Sequence, residues 1–207
     1  MKSKLIILLA ILLCSCGAQK ENKKKLTKVR FVSYRLFNEI HNYYYFNDTI
    51  KIETPLEKTI YIPNTYKKFT ARKFRNKVYR NELDWGNLYK RWTTRYKVEK
   101  HPNDTKTILG IKGYKLIIHE NSKRTFDTFD EVYELYVSDK FNIPFNHYDF
   151  LKVKNTLNYS GLILECKTYF KETPLLNITY TLEKFNTEKQ DEKLKKIDFS
   201  KYEYHRL

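Results

Sequence analysis

Along this chain, apolar and polar positions alternate in short runs rich in β-branched and aromatic residues, and clusters of polar residues separate the runs. Alternation with a period of two places every second side chain on one face, which is the pattern of a half-buried strand. Segments 28–37, 49–53, 59–62, 69–74, 93–99, 114–120, 132–137, 162–170 and 177–185 carry it. Turn-forming residues fall between them: Asn47-Asp48, Pro55, Pro63-Asn64, Pro102-Asn103-Asp104, Glu120-Asn121-Ser122 and Pro174. With only five glycines in the chain, tight primed hairpin turns should be few and longer polar loops should make most connections.

Helical periodicity is sparse. Segment 145–157 (FNHYDFLKVKNTL) has apolar residues near three- and four-residue spacing and predicts one short helix. Segment 188–197, whose clear apolar residues are Leu194 and Ile197, reads as a helix or a charged linker, and 198–207 as a last strand. The fold class expected is mainly β, with a large curved antiparallel sheet or open half-barrel and one or two short helices.

The N-terminus follows another rule. Met1-Lys2-Ser3-Lys4 precedes nine apolar residues, Leu5 to Leu13, and then Cys14-Ser15-Cys16-Gly17. A positive start, a short apolar core and a small-residue exit are the order of a secretory signal. As a helix the apolar run spans about 13 Å, well short of the ~30 Å hydrocarbon layer. Leu13-Cys14-Ser15-Cys16 resembles the bacterial lipobox, which implies cleavage after Ser15 and acylation of Cys16. Several acyl chains on one residue hold a protein stably on a membrane that it does not cross.

The expected organisation is a signal peptide over 1–15, a lipidated Cys16 with a polar tether through residue 25, and a single β-rich domain over 26–207. The address implied is the cell envelope, lipid-anchored to a membrane and most simply the outer membrane, on its periplasmic or surface face. Loss of Cys14 and use of Cys16 for lipid leave Cys166 alone, so no disulfide forms within the chain. Its place in the apolar run Gly161-Leu-Ile-Leu-Glu-Cys166 predicts a buried thiol.

Net charge is +16, and losing Lys2 and Lys4 with the signal brings it to +14. Export removes nucleic acid from the candidate partners and leaves anionic lipid, glycolipid or acidic glycan, with an envelope protein as a further partner. A surface of solvated lysines from biased base composition gives the same charge without any ligand.

From Thr107 onward the features come in a particular order. Ile108-Leu-Gly-Ile-Lys-Gly-Tyr-Lys115 is followed by Glu134-Leu-Tyr-Val-Ser-Asp139, then Ile143-Pro144, then Ser160-Gly-Leu-Ile-Leu-Glu165. Over residues 92–170 this resembles the GLPGLI family of exported bacterial proteins, a resemblance that implies no particular activity. Gly113 before one strand and Gly161 entering another suit places where backbones approach closely. Related exported β-proteins, lipoprotein carriers among them, curl a sheet around a helix into a half-barrel that holds acyl chains, and the fold expectation follows them by analogy.

Motifs for chemistry are missing from the sequence. There is no Gly-x-Ser-x-Gly elbow, and the histidines at 41, 101, 119, 147 and 205 show no paired metal-ligand spacing. The acidic cluster Asp127-Thr-Phe-Asp-Glu131 with Glu134 lacks the glycine and oxygen spacing of a calcium loop. No cofactor, metal or catalytic residue is assigned. A site assembled by the fold would have to gather His119, His147, Asp127 or Asp139 with tyrosines in one cleft.

The most distinctive chemical texture is the basic and aromatic stretch 69–97, where Arg72, Lys73, Arg75, Trp85, Arg91, Trp92 and Arg95 are candidate contacts for an anionic, amphipathic ligand. Ordinary amphipathic strands, aromatic inside and basic outside, read the same way. The function expected is a non-enzymatic, membrane-anchored envelope lipoprotein that binds such a ligand. The alternative is a structural or interaction subunit of an envelope complex.

Overall fold

A computed structural model of the chain describes residues 27–34, 38–46, 49–65, 67–74, 77–84, 93–123, 128–151, 153, 157–175, 177–188 and 203–204. The signal, Cys16, the tether and segment 189–197 lie outside these residues. Among the described residues no helix is long and apolar enough to cross a membrane.

Among the described residues twelve strands form one open sheet. They are β1 (Lys28–Tyr34), β2 (Asn38–Tyr45), β3 (Ile50–Glu53), β4 (Glu57–Ile62), β5 (Lys67–Phe74), β6 (Lys77–Asp84), β7 (Thr93–Ile108), β8 (Ile111–Lys123), β9 (Thr128–Ser138), β10 (Leu162–Phe170), β11 (Ile178–Asn186) and β12 (Glu203–Tyr204). Their spatial order is β12-β6-β5-β4-β3-β2-β1-β11-β10-β9-β8-β7. Two antiparallel meanders, β1 to β6 and β7 to β11, are therefore joined back to back where β1 pairs with β11. The two-residue β12 runs parallel to β6 at one edge.

This connectivity forces the sheet to curl. From β6 to β7 there are ten interstrand spacings, which in a flat sheet is about 48 Å. Only residues 85–92 join these strands, and nine residue steps reach at most about 32 Å. β6 finishes at the end of the sheet where β8 begins, and β7 starts at the end where β8 finishes. An open sheet of this size curls in any case.

The expected strands are found, several of them longer than expected. β7 continues through Pro102-Asn103-Asp104, where a turn was expected. The register slips between His101 and Thr105, so the three turn-forming residues are taken up as a bulge in an edge strand, whose outer backbone needs no partner. Glu120-Asn121-Ser122, also expected to turn, stays in β8 because all three pair with β9. β2 and β6 are additional to the expected strands.

The expected helix over 145–157 is replaced by two 3-10 turns, Phe145–His147 and Asp149–Leu151. Phe145, Tyr148 and Leu151 recur at intervals of three, the 3-10 period, and all three are buried. These turns belong to the segment between β9 and β10, residues 139–161, which crosses the core face of the sheet and lends it Phe141, Ile143, Phe145, Tyr148, Phe150, Leu151, Val153 and Leu157. The sheet opposes these with Val29, Phe31, Tyr43, Leu116, Ile118, Leu135 and Leu182. Phe31 sits at the centre, edge-on to Tyr43, Tyr148 and Phe150 at 5.4–6.1 Å.

Close backbone approach does account for the two glycines singled out above. A Cβ on Gly113 would lie 2.9 Å from the Val137 carbonyl oxygen and 2.8 Å from Leu164 Cδ1. On Gly161 it would lie 2.3 Å from Val137 Cγ1. Cys166 is buried on β10 among these side chains, and burial pushes its thiol well above the ordinary value.

Candidate functional site

Polar groups meet beneath the crossing segment. Register places Phe31 opposite His41, Tyr43 opposite Ile52, and Tyr61 opposite Lys68, so alternate residues of β1 to β5 share the core face. From that face Tyr43 donates its hydroxyl to Asp149 Oδ1 at 2.6 Å, and Lys68 Nζ reaches Asp149 Oδ2 at 3.1 Å. Tyr61 donates to the Asn146 carbonyl at 2.9 Å. Three strands thus hold both 3-10 turns of the segment, one by the backbone oxygen of Asn146 and the other by the carboxylate of Asp149. On its own return path the segment is fixed by Tyr148, whose hydroxyl donates to the Gly161 carbonyl and accepts from the Ile163 N–H.

Asp149 and Lys68 reinforce each other's charge. Burial disfavours the Asp149 carboxylate, but the Lys68 ammonium and the hydrogen bonds from Tyr43 and Lys68 outweigh it and hold the group below its ordinary value. Burial likewise acts against the Lys68 ammonium and is overcome by Asp149, which raises it. Tyr43 is driven well above its ordinary value by burial and by the same carboxylate.

His41 lies beside this pair, with Ser33 Oγ 2.9 Å from Nε2 and the ring of Tyr180 edge-on at 5.5 Å. Burial lowers its pKa despite the pull of Asp149 and Glu39. Serine, histidine and aspartate are therefore neighbours, but not in the working order of a triad. That arrangement needs the acid to hold the imidazole on the nitrogen remote from the serine, whereas both Asp149 oxygens accept from Tyr43 and Lys68. The arrangement suits anchoring of a charged, aromatic segment.

Of the ligand contacts expected from sequence, Arg72, Lys73 and Arg95 lie on described strands. Arg72 and Lys73 occupy successive positions on β5, Arg72 in register with Glu57 on β4. Arg95 is exposed on β7, paired with Asn121, at the far edge of the sheet. Nine interstrand spacings of about 4.8 Å separate β5 from β7 along the sheet. The described parts of the stretch 69–97 belong to β5, β6 and the start of β7. Arg75, Trp85, Arg91 and Trp92, like Cys16, lie outside the described residues.

His119, His147 and Asp139 sit apart. His119 faces Glu99 at 3.6 Å on the outer face, His147 belongs to the crossing segment, and Asp139 accepts from Tyr114 after β9 ends. Asp127 lies outside the described residues. Glu99 is also 3.9 Å from His101, but Lys97 occupies the carboxylate at 2.8 Å. Among the described residues no group of three side chains is arranged to hold a metal ion.

No family model matches the chain, and no curated protein does. Among solved structures it is similar to the Mycobacterium tuberculosis lipoprotein LppX. The TM-score is 0.36 at 11% identity, over 89% of this chain and 97% of that one. A likeness so distant says nothing about a shared ligand.

Proposed function

We propose that the protein is an envelope lipoprotein, acylated on Cys16, whose curled sheet binds an amphipathic anionic ligand such as a lipid or glycolipid without catalysing a reaction on it. The observation that carries this reading is the composition of the crossing segment itself. It sets an anion, Asp149, on Lys68 and Tyr43, and beside that anion it buries Tyr148, Phe150 and Leu151 in the apolar face. A lipid with an anionic headgroup and an acyl chain has the same two parts in the same order.

Support for the anchor is the signal-like run before Cys16, and an open sheet with one apolar face suits a binding role. Native mass spectrometry of the mature protein tests the ligand. Retention of a lipid or glycolipid that is lost in Lys68→Met is expected, whereas an interior that retains neither refutes the reading. Metabolic labelling with a fatty acid, lost in Cys16→Ala, tests the anchor.

A second reading, an interaction subunit, draws on the end of the sheet remote from the start of β1. Leu56, Phe170 and Leu175 are all exposed there, Leu175 at 92%. Crosslinking in cells that captures an envelope protein through this rim, with no lipid retained by the purified chain, would favour it.

A further inference from the structure

β7 and β8 close on a two-residue turn, Leu109-Gly110, with φ of 52° and 72° and with Ile108 facing Ile111 across it. Both central residues are left-handed, as a type I′ hairpin requires, and that turn normally takes Asn, Asp or Gly first. Leucine has no polar side chain to favour this conformation, and its Cβ crowds the following carbonyl. Burial does not compensate, because Leu109 is 51% exposed. An apolar side chain is held in an unfavourable conformation and in water at once. Strain kept at an exposed tip is a reason to look for something that the tip touches.

The position of the tip narrows the choice. Strand directions place it at the end of the sheet where β1 begins and β11 finishes, and where the Thr27 N–H donates to the Asn186 carbonyl. Thr27, the first described residue after the expected tether, lies at that end. Beside the tip, Lys112 and Lys140 are exposed and enter no ion pair among the described residues. Tyr159, returning from the crossing segment, is exposed there too. The opposite rim stands farther off, since the 13 residues of β8 span about 44 Å.

We propose that the Leu109 hairpin tip inserts into the headgroup layer of an anionic bilayer, with Lys112 and Lys140 over the lipid phosphates, so that this end of the sheet rests on the membrane. The proposal rests on the anchored-lipoprotein reading for the nearness of a bilayer. Aliphatic insertion beside lysines is the usual chemistry of an interfacial contact.

Vesicle sedimentation tests it with the chain from Gly17 to Leu207, which keeps every described strand and core residue and carries no acyl group. The probe is vesicles of phosphatidylcholine with phosphatidylglycerol. The wild-type chain is expected to bind them and to be released by salt. Leu109→Asn, which suits a left-handed position better, is expected to weaken binding about fivefold, equivalent to about 1 kcal/mol, while its thermal midpoint holds or rises. The pair Lys112→Ala and Lys140→Ala should weaken binding further, and Leu175→Asn on the opposite rim should leave it unchanged. Unchanged binding by Leu109→Asn, an equal loss in Leu175→Asn, or no binding by the wild-type chain overturns the proposal. Because this chain is not acylated, the anchor reading stands or falls separately, on fatty-acid labelling of Cys16.

Discussion

Replacing Asp149 with asparagine keeps the shape of the side chain and removes its charge, which isolates the electrostatic part of the contact between the crossing segment and the sheet. In the variant, Lys68 stays in place without a counter-charge and Tyr43 loses an ionised acceptor. Removing one partner of a fully buried pair costs about 3–5 kcal/mol. Here the side chains of Lys68 and Asp149 are 21% and 23% exposed, so water screens part of the loss and about 2–3 kcal/mol is expected. Urea denaturation of the chain from Gly17, followed by circular dichroism, measures it. Lys68→Met should cost a similar amount alone, and the double variant should cost less than the two singles together by about 1–2 kcal/mol. Additive losses, or a loss under about 0.5 kcal/mol in Asp149→Asn, a size typical of a plain surface substitution, would show that the pair does not hold the segment.

The same groups set the acid response. Asp149 is lowered in the fold, so its contribution is present above the unfolded value and lost as pH falls through the folded one. His41 is lowered as well, so the unfolded chain binds its proton first and stability falls below about pH 6.5. A urea midpoint that stays flat from pH 7 to pH 4 would contradict the His41 assignment, and one that stays flat from pH 4 to pH 2 would contradict that of Asp149.

Other expectations follow from packing. Gly113→Ala should cost about 1–3 kcal/mol by overpacking, because the Val137 carbonyl that its Cβ would meet belongs to a paired strand, and a wild-type urea midpoint would refute this. Tyr45→Phe should leave stability unchanged or raise it, since the buried Tyr45 hydroxyl makes no well-formed hydrogen bond and has only the Tyr148 hydroxyl beside it; a drop of more than about 1 kcal/mol, the worth of a typical made hydrogen bond, would mean that the contact with Tyr148 is a full bond. Cys166 in the chain from Gly17 should react with a thiol reagent only as fast as the protein opens, and prompt labelling of the native protein would place it at the surface.

The strand pattern was legible because alternation is local. Leu162–Phe170 was bounded correctly by its apolar run, and Gly113 and Gly161 marked close backbone approaches that the packing contains. What failed depended on partners distant in sequence. Pro102-Asn103-Asp104 reads as a turn anywhere except in an edge strand able to bulge. Segment 145–157 shows spacings of three and four, and the choice of the 3-10 period was made by the sheet it lies on. Asp149 drew no notice because one acid among Tyr148, Phe150 and Leu151 has no signature of its own, and Lys68, 81 positions away, gives it a role. The basic stretch 69–97 is continuous in sequence, and the order of strands sets β5 and β7 nine spacings apart along the sheet.

That separation also bears on how a ligand would enter. The short connection between β6 and β7 curls the sheet, and a curled sheet of this size has a broad apolar face that water must not wet. The chain covers that face with residues 139–161, using 3-10 turns whose backbone is only partly satisfied within the segment. Such a cover is held by a few long-range bonds, from Tyr43, Tyr61, Lys68 and Tyr148, and by ring contacts such as Phe150 on Tyr180 at 4.3 Å. The ion pair is the one part of this set that a charged headgroup can replace in kind, with Lys68 keeping a counter-charge. The ring contacts are the part that acyl chains can replace. Under the proposed lipid-binding reading, a ligand able to do both would displace the segment at little net loss, whereas a purely apolar one would leave Lys68 buried without a counter-charge and a purely anionic one would leave the apolar face bare.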